Sequence, residues 1–247
     1  MSELAIQTEN LTRKFGEFTA VDNISFDVKQ GEIFGFLGAN GAGKTTAMKM
    51  LTGLLNPTSG SATVSGSDVY TQAETIKKNI GYMSQKFSLY DDLTAEENIQ
   101  FYGGIYGISD QDLSPKIDEV LESVSLGSVR KQLVRSLPLG WKQKLAFSIA
   151  ILHQPKIVFL DEPTGGVDPV TRRQFWEKIY QVSDRGITVF VTTHYMDEAE
   201  YCDRISIMVD GRIDALGTPD ELKESFSSDS IENVFIKLAR SATRGDG

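Results

Sequence analysis

Short apolar runs separated by turn residues occupy the first 35 positions of the chain. The turns are marked by a Lys-Phe-Gly triplet at 14–16 and a Lys-Gln-Gly triplet at 29–31. Apolar runs bounded by glycine and polar residues are typical of β-strands. The pattern therefore predicts antiparallel strands over residues 4–35.

From about residue 87 the pattern changes to one that favours helices. A capping box of threonine and glutamate lies at residues 94–97, and such a box marks the first turn of a helix. Ser114 followed by Pro115 fits an N-cap with proline at the first helical position. A third helical run covers residues 141–152. These signals predict an inserted helical lobe at about residues 87–140.

Strands and a helix alternate after the lobe. Residues 157–160 and 187–192 are short runs rich in β-branched residues, and a helical segment at 171–183 lies between them. This alternation is typical of a mostly parallel sheet with helices on its faces. The chain is therefore predicted to be an α/β protein.

The last part of the sequence contains a hairpin and a helix. An Asp-Gly pair at 210–211 predicts a hairpin turn between two runs at 205–209 and 212–215. Thr218 precedes proline and two acidic residues, so it predicts the start of a last helix. Residues 226–247 are predicted to be a C-terminal tail that is partly flexible.

The charge balance of the chain is acidic. The 247 residues include 25 lysines and arginines against 34 aspartates and glutamates, a net charge of −9. This balance argues against nucleic acid as the main partner and against an electrostatic membrane anchor.

The single cysteine, Cys202, excludes an internal disulfide and fits a reducing compartment. The N-terminus lacks the regions of a signal peptide, and no apolar run is long enough to cross a bilayer. We therefore expect a soluble chain that reaches a membrane only through a partner.

One stretch carries the pattern of a phosphate-binding loop, G-x-x-x-x-G-K-[ST]. An apolar run at residues 32–37 precedes it, and a helix-forming run follows it. This context directs backbone N–H groups and the positive end of a helix at one spot, which suits a polyphosphate. The loop predicted to bind nucleotide consists of Gly38, Ala39, Asn40, Gly41, Ala42, Gly43, Lys44, Thr45 and Thr46. We expect Lys44 to pair with the β- and γ-phosphates and the Thr45 hydroxyl to bind Mg²⁺.

Two adjacent acids end the apolar run at residues 157–160. Successive residues of a strand point in opposite directions, so Asp161 and Glu162 are expected to have different roles. Asp161 is placed to hold the Mg²⁺ shell, and Glu162 is placed to orient or deprotonate an attacking water. Together with the phosphate loop, the two acids predict a site that hydrolyses a nucleotide.

In the order of its motifs, the chain resembles the ATP-binding cassette (ABC) ATPases from about residue 4 to residue 222. The resemblance implies ATP and Mg²⁺ as cofactors. It also implies a phosphate-loop NTPase core with a mostly parallel sheet, an N-terminal antiparallel β subdomain and an inserted helical subdomain. We expect residues 1–225 to form this ATPase domain.

Four further residues match functional positions of the family. Phe15 corresponds to the aromatic residue that stacks on adenine. Gln85 corresponds to the glutamine that contacts the metal and links the site to the helical lobe. Asp168 corresponds to the residue that faces the partner subunit, and His194 to the histidine that contacts the γ-phosphate. His153, the other histidine, is expected to be structural.

The signature motif of the family is altered in this chain. Its pattern L-S-G-G-Q corresponds here to Leu137-Pro138-Leu139-Gly140-Trp141. Proline in place of serine removes a hydroxyl and a backbone donor, whereas the Gly140 N–H and the positive end of the following helix remain. The change is expected to slow hydrolysis without abolishing nucleotide binding. The altered form resembles one found in drug-type exporters.

The resemblance implies the ATPase subunit of an ABC transporter, an exporter of the drug or multidrug type. Family members pair head to tail, so each ATP also contacts residues of a second subunit, here Pro138, Leu139, Gly140 and Asp168. The implied partners are that second ATPase subunit, identical or different, and integral-membrane permease subunits, with no nucleic acid. The implied location is cytoplasmic, peripheral on the inner face of the cell membrane.

The permease contact is expected within residues 86–106, where Phe87, Leu89 and Tyr90 can fill a partner's pocket or pack inside the lobe. Two other functions stay open. One is a soluble ABC-type ATPase without a transporter, although such proteins usually carry two cassettes, a coiled coil or basic surfaces. The other is a regulatory nucleotide switch with weak hydrolysis, against which Glu162 and His194 argue. A GTPase is disfavoured because no N-K-x-D element is present.

Overall fold

The computed structural model describes residues 3–242. One sheet contains β1 Leu4–Phe15, β2 Phe18–Lys29, β4 Ser59–Val64 and β5 Ser67–Asp68. The other contains β3 Ile33–Gly38, β6 Ile80–Met83, β7 Ile157–Asp161, β8 Thr188–Thr193, β9 Arg204–Val209 and β10 Arg212–Gly217. The helices are α1 Lys44–Leu51, α2 Ala73–Asn79, α3 Ala95–Ile105, α4 Asp110–Ser123, α5 Leu139–Ala150, α6 Pro169–Ser183, α7 Pro219–Ser225 and α8 Ile231–Ala242. Within the described range, no helix combines the length and the apolar character needed to cross a bilayer.

The N-terminal strands form the predicted antiparallel sheet, in the order β2-β1-β4-β5. Phe15 pairs with Phe18 at the closed end of the β1–β2 hairpin. The predicted antiparallel region extended to residue 35, but β3 lies in the second sheet, parallel to β8 and β9. Every residue of β3 is buried, and a strand buried on both faces belongs in a covered parallel sheet.

The second sheet confirms the α/β prediction and positions the site. Its strand order is β10-β9-β3-β8-β7-β6, and all neighbours are parallel except β10 and β9. The carboxyl ends of parallel strands meet at one edge, where ligands bind in open α/β sheets. The phosphate loop follows β3, the two acids end β7, and His194 follows β8. These segments therefore converge at the same edge.

Five phenylalanine rings join the two sheets. The ring centroid of Phe190 lies 5.3–6.2 Å from those of Phe26, Phe34, Phe36 and Phe159. Aromatic pairs at such separations stabilise a core by about 0.5–1.5 kcal/mol beyond the burial of their area. The cluster holds the antiparallel sheet against β3, β7 and β8, the strands that carry the converging loops.

The helical lobe begins at the predicted capping box. The Thr94 hydroxyl accepts a hydrogen bond from the Glu97 N–H, and the Glu97 carboxylate accepts one from the Thr94 N–H. Helices α3, α4 and α5 then pack around a core of their own, with Ile99, Leu121 and Leu145 among its fully buried members. The lobe, inserted between β6 and β7, therefore has a core of its own, while α5 also packs Phe147 and Ala150 into the core of the parallel sheet.

The predicted helix start at Ser114 and Pro115 is wrong, because both residues lie inside α4. The N-cap is Ser109, whose hydroxyl accepts a hydrogen bond from the Asp112 N–H. Because the helix starts there, Leu113 lies on the same buried face as Ile117 and Leu121, one and two turns later. The burial of this face outweighs the intrahelical hydrogen bond that Pro115 cannot donate.

Helix α7 starts after Thr218, as predicted, and Thr218 caps it with a capping box, but α7 is not the last helix. Helix α8 follows it within the predicted tail at 226–247. Residues three and four apart form the buried face of this helix, as expected for a helix packed on a core. That face consists of Ile231, Val234 and Leu238. Residues 243–247 lie outside the described range, and the domain boundary at residue 225 stays a prediction.

Candidate functional site

The phosphate loop wraps tightly between β3 and α1. Gly41 and Gly43 have φ angles of 85° and 105°, in the left-handed region that side chains disfavour. A Cβ atom at Gly43 would also collide with the Ala20 carbonyl oxygen. Glycine is therefore required at this position, and the bare backbone leaves the amide groups at the start of α1 free to approach an anion.

Lys44 is buried at the start of α1, with its ammonium group held above the loop. Its Nζ donates hydrogen bonds to the carbonyl oxygens of Gly38 and Ala39 at 2.8 and 3.0 Å. It also lies 3.6 Å from Glu162 Oε1. Burial lowers the pKa of Lys44, and the negative charge of Glu162 opposes that shift. The result is a cation positioned beside the space into which the loop's amide groups point.

Asp161 ends β7 next to two hydroxyl groups. Thr192 Oγ1 donates a hydrogen bond to Asp161 Oδ1 at 2.7 Å, and Thr45 Oγ1 donates one to the same oxygen at 3.3 Å. Burial raises the pKa of Asp161, while these two hydrogen bonds lower it. A buried carboxylate beside a threonine hydroxyl offers the hard oxygen ligands that Mg²⁺ prefers. Thr45 and Asp161 therefore fit the predicted metal site.

No cluster of three or more histidine, cysteine, aspartate or glutamate residues that could hold a metal occurs in the described part of the chain. Thr45 and Asp161 offer one hydroxyl and one carboxylate, and Mg²⁺ keeps several waters and is usually bound by one or two protein ligands together with substrate phosphates. A site made of one hydroxyl and one carboxylate is thus compatible with a metal that arrives together with a nucleotide.

Glu162 is turned out of the strand direction by a left-handed backbone, with φ at 48°. Its N–H donates hydrogen bonds to the carbonyl oxygen and to Oγ1 of Thr192, both at 3.1 Å. The sequence predicts that Asp161 and Glu162 diverge through strand alternation. In the structure their separation comes instead from this backbone turn, because β7 ends at Asp161.

Three predicted site residues meet at the Glu162 carboxylate. Gln85 Nε2 donates a hydrogen bond to Glu162 Oε2 at 2.9 Å. His194 Nδ1 lies 3.1 Å from the same oxygen. This contact does not have the geometry of a hydrogen bond. Lys44 approaches the other oxygen, as described above. Strand ends from different parts of the chain therefore bring an acid, an amide, an imidazole and an ammonium group together.

An open cavity of about 300 Å³ lies over the phosphate loop. Its volume is in the range of small-molecule sites. The residues that line it are Phe18, Ala20, Asn40, Gly41, Gly43, Lys44, Thr45, Thr46, Gln85 and Glu162. Most of them are predicted nucleotide ligands, so the phosphate loop and the acid face one shared space.

The aromatic residue in the cavity wall is Phe18 rather than Phe15. Phe15 is nearly half exposed at the same hairpin end, with the Arg13 guanidinium carbon 4.6 Å from its ring centroid. Phe18 is more exposed still. Phe18 was not predicted because only the position of Phe15 matches the family pattern. The second phenylalanine across the hairpin end, three positions after Phe15, was the signal that could have indicated it.

The sequence of this chain matches the model of a protein family. The family model described as "ABC transporter" matches residues 21–165, more than half of the chain. This chain belongs to the ABC transporter family. Membership supports nucleotide binding and ATP hydrolysis, and it confirms the resemblance to ABC ATPases drawn from the motifs.

Named members of the ABC transporter family align over most of this chain. The probable multidrug ABC transporter ATP-binding protein YbhF of Escherichia coli (strain K12) is 49% identical over 241 residues, which are 96% of this chain and 42% of that protein. The linearmycin resistance ATP-binding protein LnrL of Bacillus subtilis (strain 168) is 39% identical, over 94% of this chain and 75% of that protein. The chain thus spans less than half the length of the first of these relatives.

Solved structures of the family share the fold. An ATP-binding subunit of an ABC transporter has a TM-score of 0.85 and 26% identity, covering 95% of this chain and 99% of that one. A dimeric ATP-binding cassette in a post-hydrolysis state, bound to ADP and Pi, has a TM-score of 0.79 and 25% identity, covering 86% of this chain and 98% of that one. The phosphate-loop NTPase fold predicted from the sequence is confirmed.

Residues 137–141, which are predicted to be the signature stretch, do not line the cavity over the phosphate loop. Pro138 stands at the N-cap of α5 without a side-chain hydrogen bond, and Leu139 is 43% exposed. A Cβ atom at Gly140 would lie 2.8 Å from the Thr171 methyl group.

Asp168 caps α6 close to the signature stretch. Its Oδ1 accepts hydrogen bonds from the N–H groups of Val170 and Thr171, both at 3.0 Å, and its Oδ2 accepts one from Thr171 Oγ1 at 2.6 Å. The side-chain bond from Thr171, followed by the backbone bonds, lowers the pKa of Asp168. The carboxylate is therefore held as an anion on an exposed turn.

Proposed function

We propose that the chain is the Mg²⁺-dependent, ATP-hydrolysing subunit of an exporter-type ABC transporter. The observation that carries the proposal is the meeting of Lys44, Gln85 and His194 at the carboxylate of Glu162, beside the cavity over the phosphate loop. Binding a nucleotide requires only the loop and Lys44. Activating a water for hydrolysis also requires a positioned acid, and Glu162, surrounded by Lys44, Gln85 and His194, meets that requirement.

Each residue has a proposed role in phosphoryl transfer to water. Lys44 and the loop amides hold the β- and γ-phosphates, and Thr45 and Asp161 hold Mg²⁺, which neutralises charge on the phosphates. Glu162 takes a proton from the attacking water. Gln85 holds Glu162 and would also offer its amide oxygen to the metal, and His194 would stabilise charge at the γ-phosphate. Preorganised charge of this kind supplies most of the acceleration in such reactions.

The second half of the site is proposed to come from a second ATPase subunit, through Pro138, Leu139, Gly140 and Asp168. Their position outside the cavity of their own chain supports a contribution in trans. Pro138 has neither a hydroxyl nor an N–H to donate, and each lost hydrogen bond to a charged group costs about 1.5–3 kcal/mol. We therefore propose slower hydrolysis than a complete signature motif would support.

The proposed permease contact lies on the exposed edge of the helical lobe. Tyr90, Phe101 and Ile105 are exposed, and the rings of Tyr90 and Phe101 lie 4.6 Å apart, edge to face. Phe87 and Leu89, by contrast, pack against buried cores. Contiguous exposed aromatic residues are typical of contact surfaces. We call Tyr90, Phe101 and Ile105 the lobe patch and propose that it binds a permease at the cytoplasmic face of the membrane.

Co-purification tests the transporter role. We expect the tagged full-length chain, solubilised from membranes of its own host, to retain an integral-membrane protein with several spans. The variant Y90A/F101A should lose that protein while it still hydrolyses ATP, because the lobe patch does not line the nucleotide cavity. Tyr70→Ala, which truncates an exposed tyrosine of the antiparallel sheet region, is the matched control. Recovery of the wild-type chain without any membrane protein would favour the soluble ATPase.

Phe15 is proposed to stack on adenine, and Phe18 is the alternative that the cavity offers. Removing a stacked ring costs about 1–3 kcal/mol per base, so Phe15→Ala should weaken both ATP and ADP binding by roughly 5- to 100-fold. Calorimetric titration of Phe15→Ala and Phe18→Ala side by side measures the two losses. A larger loss from Phe18→Ala would assign the stacking role to Phe18 and overturn the proposal for Phe15.

A further inference from the structure

The turn that follows Glu162 is held from two sides by fully buried polar side chains. Thr164 Oγ1 donates a hydrogen bond to Glu198 Oε1 at 2.6 Å. On the other side, Gln143 Nε2, from the first turns of α5, donates to the Gly165 carbonyl oxygen at 3.2 Å. Glu198 and Gln143 both have no exposed surface. The short segment between Glu162 and Asp168 is therefore fixed by the protein interior rather than by solvent.

Glu198 occupies its position at a cost in stability. Its second oxygen, Oε2, has no hydrogen-bond partner. Arg172 Nε lies 3.7 Å from Oε1, close enough for an ion pair, but it donates no hydrogen bond. A buried carboxylate with one hydrogen bond and one distant cation is poorly compensated for the loss of water. A polar group kept under such conditions calls for a reason beyond stability.

The contacts of Glu198 join the two loops that carry the reacting groups. Glu198 lies in the 3₁₀ turn at Met196–Tyr201, directly after His194. Arg172, from the first turn of α6, stacks on the Tyr195 ring at 4.0 Å, and that ring lies 4.2 Å from the His194 ring. One network, with the buried pair Thr164 and Glu198 at its centre, therefore connects the Glu162 turn, the start of α6 and the segment after β8.

Thr164 is two residues from Glu162, and the turn between them is closed by a hydrogen bond from the Gly165 N–H to the Glu162 carbonyl oxygen at 3.1 Å. A hydroxyl bond at Thr164 therefore restrains the same turn that holds Glu162 in its left-handed conformation. Neither Thr164 nor Glu198 lines the nucleotide cavity. Their contact can affect the orientation of Glu162 relative to His194 without affecting the groups that hold phosphate.

We propose that Thr164 and Glu198 are a positioning pair that sets the Glu162 turn against the His194 segment. The inference rests on the proposed ATP hydrolysis and adds residues that act through Glu162 and His194. Loss of the hydroxyl contact leaves Lys44 and Thr45 in place, so nucleotide affinity is retained. The turnover number falls, because small displacements of reacting groups lower rates steeply.

The test compares variants of Thr164 in the full-length chain. Thr164→Val removes the hydroxyl and keeps the size of the side chain, whereas Thr164→Ala removes both. Thr164→Ser keeps the hydroxyl. We expect kcat to fall about tenfold or more in the first two variants, with KM for ATP and calorimetric ATP affinity within about twofold of wild type. Thr164→Ser should retain at least about half of the wild-type kcat. Thr8→Val removes another buried hydroxyl bond, to Phe26 in the antiparallel sheet, and should lower only the melting temperature.

Three results would overturn the pairing. They are an unchanged kcat in Thr164→Val and Thr164→Ala, an equal loss in Thr164→Ser, or a parallel fall of kcat, ATP affinity and melting temperature. A wild-type chain that hydrolyses no ATP overturns the proposed function and the pairing with it. An active wild type with fully active Thr164 variants overturns the pairing alone.

Discussion

Replacing Glu162 with glutamine is expected to lower the turnover number for ATP by about two to four orders of magnitude, the usual contribution of a positioned general base. Glutamine keeps the size of the side chain but cannot accept the proton of the attacking water. ATP affinity should stay close to that of wild type, because the loop amides, Lys44 and Thr45 are unchanged. Phosphate release at saturating ATP measures the loss, and calorimetry measures affinity.

Glu177→Gln provides the matched control for the Glu162 variant. Glu177 is exposed on α6, 3.7 Å from Arg173 across one helical turn, and its replacement changes the net charge by the same amount. We expect this control to hydrolyse ATP at the wild-type rate. A Glu162→Gln protein with at least about a third of the wild-type kcat would show that another group activates the water, since a general base contributes far more than this.

Removing the side chain of Lys44 is the second change with a large expected effect. In the structure its ammonium group is held by two carbonyl oxygens beside the cavity, positioned for the β- and γ-phosphates. Hydrogen bonds to charged groups contribute about 1.5–3 kcal/mol each. We expect Lys44 to make two such hydrogen bonds to the phosphates of ATP. Their loss in Lys44→Ala lowers ATP affinity by roughly a hundredfold or more.

Calorimetric titration with ATP tests this change, and Lys49→Ala is its control. Lys49 lies on the same helix but is exposed, so its replacement alters the charge of α1 without touching the cavity. We expect an affinity near that of wild type for Lys49→Ala and no measurable heat of binding for Lys44→Ala. Equal affinities in the two variants would contradict the assignment of the phosphate loop.

The features predicted correctly from the sequence are those fixed by neighbouring residues. The phosphate loop is set by glycine spacing between a strand and a helix. The helix starts predicted at Thr94 and Thr218 are set by residues three positions apart, which form a capping box at each start. Local geometry is sufficient in these cases, because the groups that form each hydrogen bond belong to one turn of the chain.

The features that were missed depend on distant partners. Ser114 and Pro115 carry a valid start signal, but the buried stripe of α4 shifts the start of the helix to Ser109. Thr164 and Glu198 are separated by 34 positions, and no local pattern marks either residue. The Glu162 N–H donates to Thr192 on the neighbouring strand, 30 positions away. Such contacts exist only once the sheet has formed.

The central claim is that this chain hydrolyses ATP at a site completed by a second subunit. Its most direct test is the mass of the Glu162→Gln protein, measured by light scattering during size-exclusion chromatography with ATP and Mg²⁺, with ADP and Mg²⁺, and without nucleotide. We predict twice the monomer mass with ATP and Mg²⁺, because bound ATP that is not hydrolysed holds the signature stretch of a second copy over the γ-phosphate. We predict the monomer mass in the other two conditions. A monomer in all three, with calorimetry showing bound ATP, would contradict the claim.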